Sequence, residues 1–266
     1  MVLHILQIIL YSLIPGILYL SILYITTPYT SWSFRRSIIY FLGGILTTVM
    51  MLSIYKLFPS LSTLFSLFNG SFMFSVFIVA FIQAGLFEEL SKYFNYFLLR
   101  RFVLKPIKNQ HPLATMIYCG AVGLGFSFME NIVYGITAGM DSLLIRSISA
   151  VLMHMIAGLI MGYWISLSNM DHLLQTNPTK NVSGISIFDV LMKNKPKFRK
   201  VFYIIMGVGM ATFFHGLYDF NLMIVNNSRD TVNYGIVTTI MFFLLSFLLY
   251  VVKKMGDHLV KLNINK

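Results

Sequence analysis

The stretch Phe87-Glu88-Glu89-Leu90-Ser91-Lys92 lies inside an apolar run that covers residues 71–99. The chain has only three glutamates, Glu88, Glu89 and Glu130, and all three sit in apolar surroundings. Glutamate is ordinarily a surface residue. A charge at membrane depth costs at least ~2.5–3.5 kcal/mol on insertion scales. A chain that places every glutamate there is expected to use them.

Working outward from that stretch, the 266 residues are 57% hydrophobic and 11% charged, with a mean hydropathy of +0.77. Soluble domains carry about 25% charged residues. Low charge spread over many apolar runs defines a polytopic membrane protein, and no segment reads as a soluble domain. The net charge of +11 is not a nucleic-acid signature, because the basic residues fall at the ends of apolar runs. The single cysteine, Cys119, excludes an internal disulfide and a cysteine-based metal cluster. Residues 1–24 lack a basic leading segment and a small-residue cleavage site, so they are expected to be a retained span.

Seven apolar segments, at 3–25, 37–57, 71–99, 113–137, 143–167, 201–223 and 232–252, are long enough to cross ~30 Å of hydrocarbon. Helix is the expected state, because open strands in lipid leave backbone groups unpaired. The fold class is therefore all-α, with about seven transmembrane helices in one integral membrane domain over 1–266. The third segment is too long for a perpendicular span. It is expected to tilt, or to end in an interfacial helix near Tyr93–Arg100. Phe58–Asn69 reads as weakly amphipathic surface structure. All but four of the 20 basic residues fall in alternate connections and the C-terminal tail, the exceptions being Lys56, Lys92, Arg146 and Arg229. The positive-inside rule then places the N-terminus outside and the C-terminus in the cytoplasm. The long connection at 168–200 is read as a basic cytoplasmic loop near anionic lipid.

Several polar residues break the apolar pattern. Lys92 is three and four residues from Glu89 and Glu88, within helical reach of both. Two carboxylates with one lysine leave a surplus. Adjacent carboxyls in a low dielectric titrate as a coupled set, which suits a group that takes and returns a proton. In the fourth segment Glu130 adjoins Asn131, and Gly120, Gly123 and Gly125 precede them, small residues that let a neighbouring helix approach. In the fifth, Arg146 lies near one end, either reaching the interface or pairing with Glu130. His154 shares a face with Gly158 and Gly162. In the sixth, His215 and Asp219 stack four residues apart, a pair able to orient an imidazole, bind metal or stabilise an oxyanion. Taken singly, each has an ordinary structural explanation. Together, carboxylates, imidazoles and a lysine from four spans must face one another or a wet cavity.

These residues, in this order, resemble the PrsW-type intramembrane proteases. The motifs are Glu88-Glu89-x-x-Lys92, Phe126-x-x-x-Glu130-Asn131, the histidine of His154-Met155-Ile156-Ala157-Gly158, and His215-x-x-x-Asp219. The likeness runs over about half the chain, from Gly85 to Phe220. It implies a core related to the CAAX-prenyl protease and Abi group, at about 71–223. It also implies peptide-bond hydrolysis, with Glu88 as general base and Glu89 its partner, and Lys92 tuning the pair. His215 is the implied oxyanion donor beside Asp219, and Asn131 and Arg146 are supporting residues. Where the CAAX-type second motif ends in histidine, this chain has Glu130. Either His154 supplies the catalytic imidazole or Glu130 has a different role. No cofactor is required by this reading. The alternative is a zinc protease with His154, His215 and Glu88 as ligands, although no His-Glu-x-x-His helix is present. A proton or ion transporter and an inactive scaffold or immunity-type protein are the non-enzymatic alternatives. The implied substrates are single-span membrane proteins such as anti-sigma factors; a secreted or bacteriocin-like peptide is equally open.

Overall fold

The computed structural model describes residues 2–27, 32–57, 72–104, 111–169, 195–227 and 231–264. The amphipathic structure expected at Phe58–Asn69 and most of the 168–200 connection lie outside these residues. Among the described residues every regular element is helical, in the order α1 (Val2–Thr26), α2 (Phe34–Leu57), α3 (Phe72–Val103), α4 (Pro112–Thr137), α5 (Met140–Ser168), α6 (Pro196–Asn227) and α7 (Thr231–Ile264). The first six are long and apolar enough to cross a membrane. The protein is thus an all-α, multi-pass membrane protein. Large apolar side chains such as Leu18, Leu46, Phe94 and Phe213 are exposed around the bundle, where lipid rather than water is the solvent.

α4 and α5 form the centre. Of its most apolar window, α4 buries 83% and α5 buries 67%, against 22% for α1. The sequence produces this through small residues. A Cβ at Gly123 would collide with the His154 carbonyl, and one at Gly158 with the Cys119 carbonyl. The two backbones therefore meet, and van der Waals packing drives their association where the hydrophobic effect cannot. The expectation that these glycines serve close approach holds. α4 starts at Pro112, which follows an N-cap His111 whose Nδ1 accepts from the Leu113 N–H at 3.1 Å. It ends at Thr137 with Ala138 as C-cap, and Gly139, at φ 87°, reverses the chain into α5. Only glycine adopts that conformation without strain.

α2 packs on the other side of α4. Tyr40 of α2 stacks between Tyr96 of α3 and Tyr118 of α4, at centroid distances of 5.4 and 4.8 Å. The third span does not break into an interfacial helix near Tyr93–Arg100. It continues to Val103, after which Leu104 is extended. Within it, Ile78–Leu86 and Leu99–Val103 are π-helical. Such stretches are uncommon and occur frequently at functional sites. The first ends two residues before Glu88. It lies against α6, where Gly85 faces the Thr212 carbonyl and Gly216 faces the Phe81 ring. That contact brings Glu89, one turn beyond Gly85, beside His215.

Candidate active site

Four helices deliver the polar residues to one place. On α3, Lys92 Nζ donates to Glu89 Oε1 at 2.7 Å and lies 3.5 Å from Glu88 Oε2. On α5, His154 Nδ1 is 2.9 Å from that same ammonium, and its Nε2 is 2.8 Å from Glu130 Oε2 on α4. An ammonium only donates. Nδ1 of His154 is therefore the acceptor, and Nε2–H donates to Glu130. On α6, His215 Nδ1–H donates to Glu89 Oε1 at 2.9 Å. Its Nε2 faces Asp219 Oδ2 at 3.4 Å and Glu88 Oε2 at 3.8 Å. The two imidazoles meet edge to face, 4.7 Å between centroids.

Arg146 closes the cluster. Its Nη2 lies 2.6 Å from Glu130 Oε2, so pairing with Glu130, rather than reaching the interface, is what the chain does. Its Nε donates to Asn131 Oδ1 at 3.3 Å, and the guanidinium lies over the Tyr134 ring at 3.7 Å. Tyr134 has no motif to mark it in the sequence. Lys92 packs likewise over Phe126, 4.1 Å from the ring centroid.

The adjacent glutamates have different surroundings. Glu89 is fully buried, one oxygen shared by Lys92 and His215 and the other, Oε2, without a hydrogen-bond partner among the described residues. Glu88 retains 14% exposure. With Glu130 it lines a cavity of about 400 Å³ between α2 and α4, whose other walls include Thr48, Met51, Leu52, Val133 and Tyr134. The α2 residues carry no signal in the sequence.

The charges do not balance. Among the described residues, Glu88, Glu89, Glu130 and Asp219 face only Lys92 and Arg146 as permanent cations. A buried charge must be paired or neutralised. Balancing the surplus would take extra protons on the imidazoles or carboxyls, or a divalent cation. Ligand atoms of Glu88, His154 and His215 lie within 4.8 Å of one another, close enough to share one metal ion.

A multi-pass helical membrane protein with a buried acid–base and potential metal-binding cluster, open to a cavity, defines a class to which membrane-embedded hydrolases belong. The profile of one family, described as "PrsW family intramembrane metalloprotease", matches residues 33–249. The chain belongs to this family. It is 30% identical over 153 residues to Protease PrsW of Oceanobacillus iheyensis, covering 57% of this chain and 64% of that protein. It is 29% identical over 152 residues to Protease PrsW of Bacillus subtilis strain 168, with the same 57% and 64% coverage. It is 29% identical over 128 residues to Protease PrsW of Halalkalibacterium halodurans, covering 48% and 58%. The chain thus spans somewhat less than two thirds of the curated relatives it matches. No solved structure matches it.

Proposed function

We propose that the protein is an intramembrane endopeptidase, and that Glu88 takes the proton from the attacking water. One observation carries this reading: Glu88 is the member of the glutamate pair that reaches the cavity while Lys92 and His215 hold its neighbour. A scissile carbonyl in the cavity would bring the reacting carbon beside Glu88. Glu88 removes one proton from water and the hydroxide oxygen bonds to the carbonyl carbon. His215, protonated at both nitrogens within the proton-rich cluster, keeps Nδ1–H on Glu89 and donates Nε2–H to the oxyanion. One such donor is worth about 3–4 kcal/mol in oxyanion sites. Glu88 then passes its proton to the leaving amine as the C–N bond breaks. Asp219 orients His215. His154, engaged at both nitrogens, positions Lys92 and Glu130 rather than holding the water. Glu89 is read as the anchor of the pair.

The family's description adds a metal, and the donor set fits one. Glu88, His154 and His215 would hold it through Nδ1 of His154 and Nε2 of His215. Glu130 and Glu89 fix the opposite ring nitrogens, the usual support for metal-ligating imidazoles. The two unbalanced negative charges also suit a divalent ion, for which the Lys92 ammonium would give up its bond to His154. Zinc bound there would supply a Lewis acid and a more acidic water. Metal analysis of the purified protein, with activity measured in chelator, separates the two forms of the mechanism. Retained cleavage in metal-free protein rejects the metal-dependent one.

The substrates this site would take are membrane proteins or membrane-associated peptides, a single-span anti-sigma factor being one example. The N-terminus is placed outside and the C-terminus in the cytoplasm, on the strength of the basic connections. Comparative membrane proteomics of wild-type and Glu88→Gln cells tests the function. The expected result is a membrane protein truncated only in the wild type. Cleavage by purified Glu88→Gln at the wild-type rate would reject the assignment of the base.

A further inference from the structure

A second cavity, of about 250 Å³, lies away from the cluster where three helix ends meet: the π-helical end of α3, the end of α5 and the beginning of α6. Arg100, Arg101 and Lys200 converge on it, and Ser168 and Asn169 add polar groups. Among the described residues no acidic side chain lines it. Its remaining wall is apolar and aromatic, with Phe97, Ile165, Ile204, Tyr93 and Tyr96. Arg100 is steered inward by its contact with the Tyr96 hydroxyl, Nη1 to Oη at 3.4 Å.

We propose that this cavity binds the headgroup of an anionic phospholipid. Three cations and, among the described residues, no lining carboxylate match a phosphodiester. The apolar side walls match the first carbons of an acyl chain. The location also fits, since helix ends lie at the level of lipid headgroups. Basic pockets between membrane helices on the cytoplasmic side take such headgroups. The proposed orientation puts this end in the cytoplasmic leaflet, where anionic lipid is available. Arginine suits the role because its planar fork binds two phosphate oxygens at once. The tyrosines add amphipathic rings of the kind found at the membrane interface.

The cavity shares α3 with Glu88, Glu89 and Lys92, and Tyr96 is one turn from Lys92. A lipid seated there would brace the half of α3 that follows the site. The inference does not depend on the protease reading, because it is tested by binding.

The protein is purified, exchanged into nanodiscs of phosphatidylcholine with increasing phosphatidylglycerol, and the lipids retained are counted by native mass spectrometry. Wild type should retain phosphatidylglycerol in preference to phosphatidylcholine. The Arg100→Gln/Arg101→Gln double variant should retain it about 25-fold more weakly, each basic group near an anionic surface contributing roughly five-fold. Lys200→Gln should show about a five-fold loss. Lys253→Gln/Lys254→Gln, which removes the same charge from α7, should retain it as wild type does. Equal retention by wild type and the cavity variants overturns the proposal, as does an equal loss in the α7 variant. Competition by soluble glycerol phosphate as effective as that by the lipid also overturns it, because the ligand would then be a free phosphate. If the double variant fails to fold, Lys200→Gln and wild-type selectivity still decide.

Discussion

Glu88 and Glu89 are neighbours in sequence and near the same Lys92 and His215, yet only Glu88 reaches the cavity. Successive residues on a helix point about 100° apart. Glu89 consequently points at Lys92 and His215, while Glu88 turns toward the cavity between α2 and α4. The difference separates two tasks that one carboxylate cannot combine. A group that ties α3 to α6 commits its oxygen to Lys92 and His215, whereas a group that exchanges protons with a water must keep a free face. The largest expected effect tests that division. Glu88→Gln should lower cleavage by about 10²–10⁴-fold, the usual contribution of a positioned acid or base. Its thermal stability in detergent should stay close to wild type. Glu89→Leu should instead lose about 3–5 kcal/mol of stability, the cost of leaving a buried charge unpaired. Unfolding curves of the two variants read this directly, and a stable Glu89→Leu beside an unstable Glu88→Gln would invert the comparison.

The next effect concerns the scaffold. Gly123 lies directly against the His154 carbonyl, so packing around it sets where the imidazole sits. Gly123→Leu should force α4 from α5 and cost about 1–3 kcal/mol or more, as overpacking does. Gly209 has open space where a Cβ would go, and Gly209→Ala should be tolerated. Comparing the melting temperatures of the two variants checks whether the helix seam, rather than glycine content, carries the stability.

Much of this is legible in the sequence because the anomalies are large. In an apolar span every carboxylate or imidazole stands out, and i,i+3 and i,i+4 spacing predicts the Lys92 contacts and the His215–Asp219 pair. The helices are legible for the same reason, since hydropathy and length suffice to mark them. Three things are not. For Arg146 the sequence offers two outcomes, reaching the interface or pairing with Glu130 across α4 and α5, and spacing along one helix cannot choose between them. The π-helical stretch at Ile78–Leu86 is an apolar sequence like many others, and its register follows from packing on α6. The cavity wall from α2 consists of Thr48, Met51 and Leu52, residues that any span contains. Only tertiary packing makes them part of the site.

The Arg146 pairing offers a finer test of the open side. Its guanidinium holds Glu130 and Asn131 together and rests on Tyr134. Arg146→Lys keeps the charge and loses the fork. The loss of one charge-assisted bond, about 1.5–3 kcal/mol, should lower cleavage by roughly ten-fold or more if Glu130 must stay fixed. Unchanged activity with lowered stability would make Arg146 purely structural.

The smallest expected effect lies one contact further out. Tyr134 touches the cluster only through its ring face, 3.7 Å from the Arg146 guanidinium, and it also lines the cavity with Glu88. Tyr134→Phe keeps a face with a similar quadrupole and should change cleavage by no more than about two-fold. Tyr134→Leu removes the aromatic face and should cost about 0.5–2 kcal/mol, read as a several-fold fall in cleavage rate. The pair separates the ring from the hydroxyl. A strong defect in Tyr134→Phe would mean that the phenol itself touches substrate or water, and the open side of the site would then use a phenol beside Glu88 and Glu130.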